Sequence, residues 1–304
     1  MSARIQTLIT RAFRHAMAED DRLILLGQDI RMPAGGAFKA TWGLSDVYPD
    51  RVVNTPISEA ATMGLATGMS LGGKLPVVEV MFGDFLLLCA DQILNHAAKF
   101  KWMYDIPSLP IVIRTPMGAN DGYGPTHSQS VEKYLFGMPG LSILALNDVD
   151  DTYQVYRKVL RDADGPTLVL EHKRLYRTRL DTNFDPPPDP HVTVWAYGWM
   201  AAQARKAIKE LPDVKVELVC PLWLQPMDFM DELWESLEKT RRLIIVEEGS
   251  GMGSPGSCVA GKLLGLDLVK RFIHLSNNTH IPAYNEGSVI PSVDDIKKAI
   301  QIVI

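Results

Sequence analysis

The chain has 304 residues, of which 46% are hydrophobic and 22% charged; this composition is ordinary for globular domains, and the length favours two of them. The net charge of −5 provides no basic surface for a phosphate backbone, so nucleic acid is not an expected partner. No apolar run approaches the ~18 residues of a membrane span, and the three cysteines form no disulfide or zinc pattern, so we expect a cytoplasmic protein without membrane contacts.

The N-terminal half alternates between helical and strand-like segments. Residues 1–22 have the apolar spacing of a surface helix. The strand-like segments are short and apolar on both faces, as in a parallel sheet covered by helices, and lie at residues 22–27, 75–82, 109–116, 141–146 and 166–172. Helical patterns separate them at residues 57–73, 86–104 and 148–164. This alternation predicts an α/β domain.

A proline-rich stretch, DTNFDPPPDPHV (residues 181–192), divides the chain, because consecutive prolines cannot continue a helix or a central strand. Strand and helix patterns alternate again beyond it: strands at 192–198, 214–223, 241–249 and 269–276, and helices at 200–211, 227–239 and 292–304. We predict an α/β protein with two domains, residues 1–182 and 192–304, joined by a linker at 183–191. Each domain is expected to be a mostly parallel sheet covered by helices.

A glycine-rich segment, EEGSGMGSPGS (residues 247–257), has GxGxxG-like spacing late in the chain. A dinucleotide fingerprint instead belongs in a first strand-to-helix turn with an acid ~20 residues later, and only Asp267 offers a weak match. We therefore predict a tight loop and a helix start. The sequence has no GxxxxGK[ST], HExxH, CxxC or GxSxG motif, so it is not an obvious self-contained hydrolase, kinase or metalloenzyme.

Glu59 is the acid at the start of an otherwise almost wholly apolar helix. Ser58 or Thr55 can cap that helix, and an acid in the first turn interacts favourably with the helix dipole. The residue types alone therefore favour a structural role. The functional alternative requires a ligand that needs a carboxylate on an apolar wall.

His127 and Phe85 also have two interpretations each. His127 lies in NDGYGPTHSQSVEKY, a loop between two predicted strands, where a histidine can transfer a proton or simply bond to nearby backbone. Phe85 follows the strand VVEVMF and can be core or offer its ring face to a flat heterocycle. Met81 and Phe82 raise the same question, and core is the better interpretation of Phe82.

Several long motifs occur in a consistent order: VVNTPISEAATMGLATGMSLGG with KLPVVEVMFGDF, then DQILNHAAKFKWMY, PIVIRTPMG, GPTHSQSVE, MPGL and LEHKRLYR. Together they resemble the β subunit of 2-oxo acid dehydrogenase E1 components, which are thiamine-diphosphate enzymes related to transketolase. The resemblance extends from about Thr7 to Ile300. It implies a transketolase-like pyrimidine-binding domain followed by a transketolase C-terminal-like domain.

The resemblance implies roles for the residues considered above. Glu59 matches the family glutamate that hydrogen-bonds N1′ of the thiamine diphosphate aminopyrimidine and so promotes removal of the C2 proton of the thiazolium. Phe85 matches the aromatic residue that stacks on the pyrimidine, and Met81 and Ile57 would line the same pocket. His127 matches the histidine that faces the substrate adduct.

The family also commonly holds a potassium ion through oxygen ligands, as suits a hard cation. By position, the ligands here would come from Ile111, Val159, Asp162 and Asp164. The aspartate pair in LRDADGP is equally typical of a solvated loop.

Three departures from the family pattern matter. Gln28 stands where the family usually has glutamate, which puts communication between two active sites in doubt. The segment DGYGPTH is closer to the transketolase pattern. No GDG…N motif for diphosphate and magnesium occurs in this chain. In the family that motif belongs to a separate α subunit, so the resemblance implies an α2β2 assembly in which Mg²⁺ is held mainly by the α subunit.

Three hypotheses follow. In the first, this chain is an E1-type β subunit that decarboxylates a 2-oxo acid and passes the acyl group to a lipoyl acyltransferase (E2). In the second, it belongs to a split transketolase-like carboligase that transfers the activated aldehyde to a carbonyl acceptor without lipoamide. In the third, it is a non-catalytic interface partner, and the joint presence of Glu59, Phe85 and His127 argues against this.

Overall fold

The computed structural model describes residues 3–119, 121–182 and 186–304, and its strands form two sheets. The first sheet contains β1 (Leu23–Gly27), β2 (Val52–Asn54), β3 (Leu75–Glu79), β4 (Ile111–Met117), β5 (Ser142–Ala145), β6 (Pro166–His172) and β9 (Trp223–Gln225). Its order is β2-β1-β3-β4-β6-β5-β9. The second contains β7 (Val192–Ala196), β8 (Val216–Val219), β10 (Arg242–Val246) and β11 (Arg271–Leu275), in the order β11-β10-β7-β8.

Both sheets are parallel except for β9, which runs antiparallel to β5. Every residue of β4 and β6 is buried, as expected for strands with helices on both faces. The helices are α1 (Ile5–Glu19), α2 (Leu44–Val47), α3 (Glu59–Leu71), α4 (Ala98–Met103), α5 (Thr152–Asp162), α6 (Gly198–Lys209), α7 (Met230–Thr240), α8 (Pro255–Leu263) and α9 (Val293–Val303). The predicted fold class is confirmed. Within the described ranges, none of these helices combines the length and apolar character needed to span a membrane.

Two segments depart from their predicted form. The pattern at residues 86–104 predicts one helix, but the chain forms a 3₁₀ helix over Gly83–Cys89, a π-helix over Gln92–Ala97 and then α4. The predicted strand at 214–223 is two strands, because Pro221 lies between β8 and β9 and lacks the N–H that a continuous ladder requires.

Strand β9 joins the first sheet although it follows the proline-rich stretch in the chain. Gln225 secures it there, since its Nε2 donates to the carbonyl oxygens of Met138 (2.7 Å) and Leu141 (2.6 Å) and its Oε1 accepts from the Gly137 N–H at 2.7 Å. The C-terminal half therefore contributes a strand to the N-terminal sheet. The proposed linker at 183–191 lies partly outside the described residues, at 183–185.

A buried ionic network crosses the centre of the first sheet. The Arg114 side chain on β4 pairs with the carboxylates of Glu79 on β3 and Glu171 on β6, and its Nη2 lies 3.2 Å from the Tyr176 hydroxyl. The Tyr156 and Tyr176 hydroxyls also donate to Glu171. Burial raises the pKa of Glu79, and the Arg114 charge opposes that rise. The network thus couples three neighbouring strands directly beneath their carboxyl ends.

The carboxyl ends of β1, β2, β3, β4 and β6 lie at one edge of the first sheet, because these strands are mutually parallel. The segments that follow them carry Gln28, Glu59, Phe85, His127 and Lys173. Such an edge is where parallel α/β sheets bind ligands.

Candidate active site

Glu59 is the first residue of α3 and is half-buried. Ser58 caps the helix by accepting from the Ala61 N–H, so the acid lies at the positive end of the helix dipole. Gln28 Nε2 donates to Glu59 Oε1 at 3.0 Å. Among the described residues, the other carboxylate oxygen has no hydrogen-bond partner. One oxygen is therefore fixed and the other is available to a ligand.

The segment before α3 and the segment after β3 carry three apolar side chains, Ile57, Met81 and Phe85, which we call the apolar wall. Ile57 is 86% exposed, and Met81 and Phe85 are half-buried. The 3₁₀ helix that begins after Phe82 and contains Phe85 packs against α3. The pKa of the Cys89 thiol on this segment is raised to about 12, mainly by burial and to a smaller extent by the Glu59 charge. Cys89 is therefore a buried thiol of low reactivity.

His127 lies against the same wall. Its ring meets Phe82 and Phe85 edge to face, with centroids 4.8 Å and 5.2 Å apart. Its Nδ1 forms a hydrogen bond with Thr126 Oγ1 at 2.9 Å, and in the described part of the chain Nε2 has no such partner. The structure thus brings the predicted His127 and Phe85 into contact, with one imidazole nitrogen available for proton transfer.

The sequence patterns did not identify an aromatic cluster that extends this wall. Phe38 lies in the loop after β1, and its ring centroid is 5.9 Å from that of Phe82 and 5.7 Å from that of Tyr123. Phe82 itself is buried, as its interpretation as core predicted. No local pattern indicates Phe38, because its partners come from other strand ends.

Lys173 is a second residue that sequence reasoning missed, although a lysine directly after a buried strand is a usable signal. It is 1% exposed, and its Nζ donates to the His127 carbonyl oxygen at 2.6 Å. Burial lowers the pKa of Lys173, while nearby carboxylates, Glu286 first among them, oppose that shift. Its Nζ also lies 4.6 Å from the centre of the Tyr123 ring. Lys173 therefore supports the segment that carries His127.

The predicted potassium ligands are only partly brought together. Val159, Asp162 and Asp164 line one cavity of about 540 Å³, which Ile111 does not line. Asp162 pairs with Arg161 at 2.7 Å, and Asp164 pairs with Lys101. In the described ranges no group of three or more His, Cys, Asp or Glu side chains is placed to hold a metal ion. A potassium ion can also be held by backbone carbonyl oxygens, which are not among these side chains, and the potassium site stays a prediction.

Comparison with known families accounts for nearly the whole chain. Residues 2–179 match the family described as "Transketolase, pyrimidine binding domain", and residues 182–294 match "Transketolase, C-terminal domain". The chain belongs to the transketolase-like family. The edge that carries Glu59, Phe85 and His127 lies in the pyrimidine-binding part of this transketolase-like chain.

Individual relatives show which members of this family the chain is similar to. The chain is 31% identical to the 3-methyl-2-oxobutanoate dehydrogenase subunit beta of Mycobacterium tuberculosis, covering 84% of this chain and 77% of the relative. It is 34% identical to the acetoin:2,6-dichlorophenolindophenol oxidoreductase subunit beta of Cupriavidus necator (81% and 79% covered). It is 30% identical to the pyruvate dehydrogenase E1 component subunit beta of Rickettsia felis (98% of each). These relatives confirm the resemblance to 2-oxo acid dehydrogenase E1 β subunits, which are components of oxidoreductases.

A solved structure shares the fold. It is described as "Split gene transketolase, inactive beta4 tetramer" and superposes with a TM-score of 0.79 at 22% identity, covering 98% of this chain and 97% of that one. At this identity the match supports the transketolase-like architecture of the two sheets and no finer statement.

Proposed function

We propose that this chain is the β subunit of a heteromeric thiamine-diphosphate enzyme that decarboxylates a 2-oxo acid and transfers the acyl group to a lipoyl acceptor. The observation that carries the proposal is the Glu59 carboxylate: Gln28 holds one oxygen at 3.0 Å, the other has no partner among the described residues, and α3 packs against the 3₁₀ helix that contains Phe85. The names of the relatives support a 2-oxo acid as substrate.

The residues present fit an aminopyrimidine. The ring needs an acceptor for a protonated ring nitrogen and apolar surfaces for its faces, and Glu59, Phe85 and the exposed Ile57 supply these types together. Bound thiamine diphosphate would supply the carbon nucleophile that attacks the oxo group. Glu59 would hold a proton at the ring nitrogen, and Phe85, Met81 and Ile57 would orient the heterocycle.

His127 would exchange a proton with the oxygen of the reacting substrate. We expect His127→Ala, in the assembled enzyme, to lower kcat by ~10²–10⁴-fold. The affinity for thiamine diphosphate should change little, because the substitution removes neither the Glu59 carboxylate nor the Phe85 ring that would hold the heterocycle. Titration of the cofactor and steady-state kinetics measure the two effects separately.

The matched control for that variant is His15→Ala, an exposed histidine on α1. It should behave as wild type in both measurements. Loss of cofactor binding in His127→Ala, with turnover intact at saturating cofactor, would assign His127 to the cofactor instead of the substrate.

An α-type partner completes the proposed site. The chain has no GDG…N motif, so an E1 α-type subunit would supply the diphosphate and Mg²⁺ ligands in an α2β2 assembly. Exposed apolar side chains on the segments that follow β2 and β3 fit such an interface: Ile57 (86% exposed), Leu87 (53%), Leu88 (60%) and Trp102 (85%). We also propose a cytoplasmic location, which the three free cysteines support.

Reconstitution tests the function directly. The chain together with an E1 α-type subunit from the same cells, but neither alone, should release CO₂ from a 2-oxo acid and reductively acylate the disulfide of a lipoyl domain. Product formed only with an aldehyde acceptor would favour the transketolase-like carboligase. No CO₂ release with pyruvate or branched 2-oxo acids would contradict the proposed function.

A further inference from the structure

The loop that carries His127 is held by a residue from the far end of the chain. Glu286, 3% exposed, opens a 3₁₀ turn over Glu286–Val289 in the C-terminal half. Its carboxylate accepts from the backbone N–H groups of Asp121 (3.2 Å), Gly122 (3.3 Å) and Gly124. It also accepts from the Ser128 hydroxyl at 3.2 Å. One carboxylate thus satisfies donors on both sides of the loop.

Lys173 secures the same loop from the first sheet. Its Nζ donates to the His127 carbonyl oxygen at 2.6 Å and to Ser128 Oγ at 3.3 Å. The Ser128 hydroxyl, which is fully buried, therefore accepts from Lys173 and donates to Glu286. A buried cation and a buried anion meet through a single hydroxyl beside His127, and each compensates the other's charge.

Glu286 is suited to remain ionised in this position. Burial raises the pKa of its carboxyl, but the N–H groups of Gly124, Gly122 and Asp121 outweigh burial, so the pKa lies below its ordinary value. Successive backbone N–H groups that converge on an anion form a recognised nest-like arrangement. Here the anion is part of the protein.

Two glycines make this loop costly to order. Gly122 and Gly124 both have positive φ, at 86° and 77°, and nothing lies near the position of an added Cβ at either residue. Such glycines lose much conformational freedom when they are ordered. A catalytic group displaced by about 1 Å can lose ~10²-fold in rate. The hold of Glu286 on this loop is therefore expected to affect catalysis by His127.

We propose that Glu286 is a positioning residue for His127, through which the C-terminal half takes part in the active site. The hold on the loop is independent of any reaction, while its catalytic consequence rests on the proposed function. Glu286 would not touch the substrate. It would act by keeping the imidazole against Phe82 and Phe85.

Amide hydrogen exchange on the full chain, with no cofactor present, tests whether Glu286 holds this loop. In Glu286→Ala, amides 121–124 should exchange about tenfold faster or more, because their charged acceptor is gone. Peptides from β4 and β10 should be unchanged, which shows that the fold is intact. Glu286→Gln, which keeps one acceptor oxygen, should give a smaller effect, and Glu235→Ala, an exposed acid on α7, should give none.

The position of His127 is followed by its rate of modification with diethyl pyrocarbonate. Glu286→Ala should raise that rate, and Ser128→Ala, which removes only the bridging hydroxyl, should raise it less. In the reconstituted enzyme, Glu286→Ala should lower kcat by about 10- to 100-fold with little change in cofactor affinity, and glutamine should restore part of the loss.

Unchanged exchange at 121–124 and an unchanged His127 modification rate would overturn the proposal. So would a mobile loop in Glu286→Ala combined with wild-type kcat. If the wild-type assembly decarboxylates no 2-oxo acid, the proposed function fails instead, and the exchange and modification rates still decide whether Glu286 positions His127.

Discussion

Glu59→Ala in the reconstituted enzyme should lower cofactor-dependent decarboxylation by at least ~10²–10³-fold, since proton transfer through a positioned carboxylate contributes on that scale. The variant also leaves the Gln28 amide without its acceptor. Glu59→Gln separates the two effects, because glutamine can still accept from Gln28 but cannot hold a negative charge. We expect it to be nearly as inactive as the alanine variant. Release of CO₂ at saturating cofactor is the measurement.

Glu238→Gln, a substitution of an exposed acid on α7, provides the matched control and should retain full activity. Near-normal turnover in Glu59→Gln would contradict a proton-holding role for Glu59. Glu59 would then be a structural acid at the start of α3, which is the role that its residue type alone favours.

Arg114→Met should lower the free energy of unfolding by about 3–5 kcal/mol, the typical cost of removing one partner from a buried ion pair. Arg114 is 1% exposed, and its removal would leave the carboxylates of Glu79 and Glu171 facing each other without a cation. Urea unfolding measures the loss. Arg161→Ala, whose side chain is largely exposed, should unfold as wild type does.

The destabilisation should depend on pH in a defined direction. Burial already raises the pKa of Glu79, and without the opposing Arg114 charge this pKa would rise further, so the folded variant would bind protons more tightly than the folded wild type. The variant should therefore lose stability as the pH rises through the raised pKa of Glu79. The difference in unfolding free energy from wild type should be larger at neutral than at acidic pH. Replacing Glu79 and Glu171 by glutamine in the same chain should recover much of the loss. An equal deficit at acidic and neutral pH would contradict this account.

Local patterns predicted the parts of the site that are local in the chain. Glu59 stands out as an acid in an apolar helix, and His127 stands out in a polar loop after a strand. Gln28 is visible from the sequence only as a departure from the family, and its hydrogen bond to Glu59 appears once β1 and α3 are placed side by side.

The rest depends on long-range placement. Glu286 is 158 positions from Ser128, so no spacing rule connects them. Phe38 contacts Phe82 and Tyr123 only because several strands end at one edge of the sheet. The π-helix at Gln92–Ala97 was not predicted either, because its buried residues Ile93 and Ala97 are four positions apart, a spacing that an α-helix also gives.

Because β9 pairs with β5, the N-terminal sheet depends on a strand from the C-terminal half of the chain. The two family matches divide near residue 180, yet the strand that closes one end of the first sheet follows only after β7, α6 and β8. Recombination at the proline-rich stretch would separate β5 from its neighbour and leave a sheet edge with unpaired N–H and C=O groups. A foreign C-terminal half could replace this one only if it brought an equivalent short strand at the same distance. Exchange of one half alone would therefore break a strand pairing that the sequence boundary does not reveal.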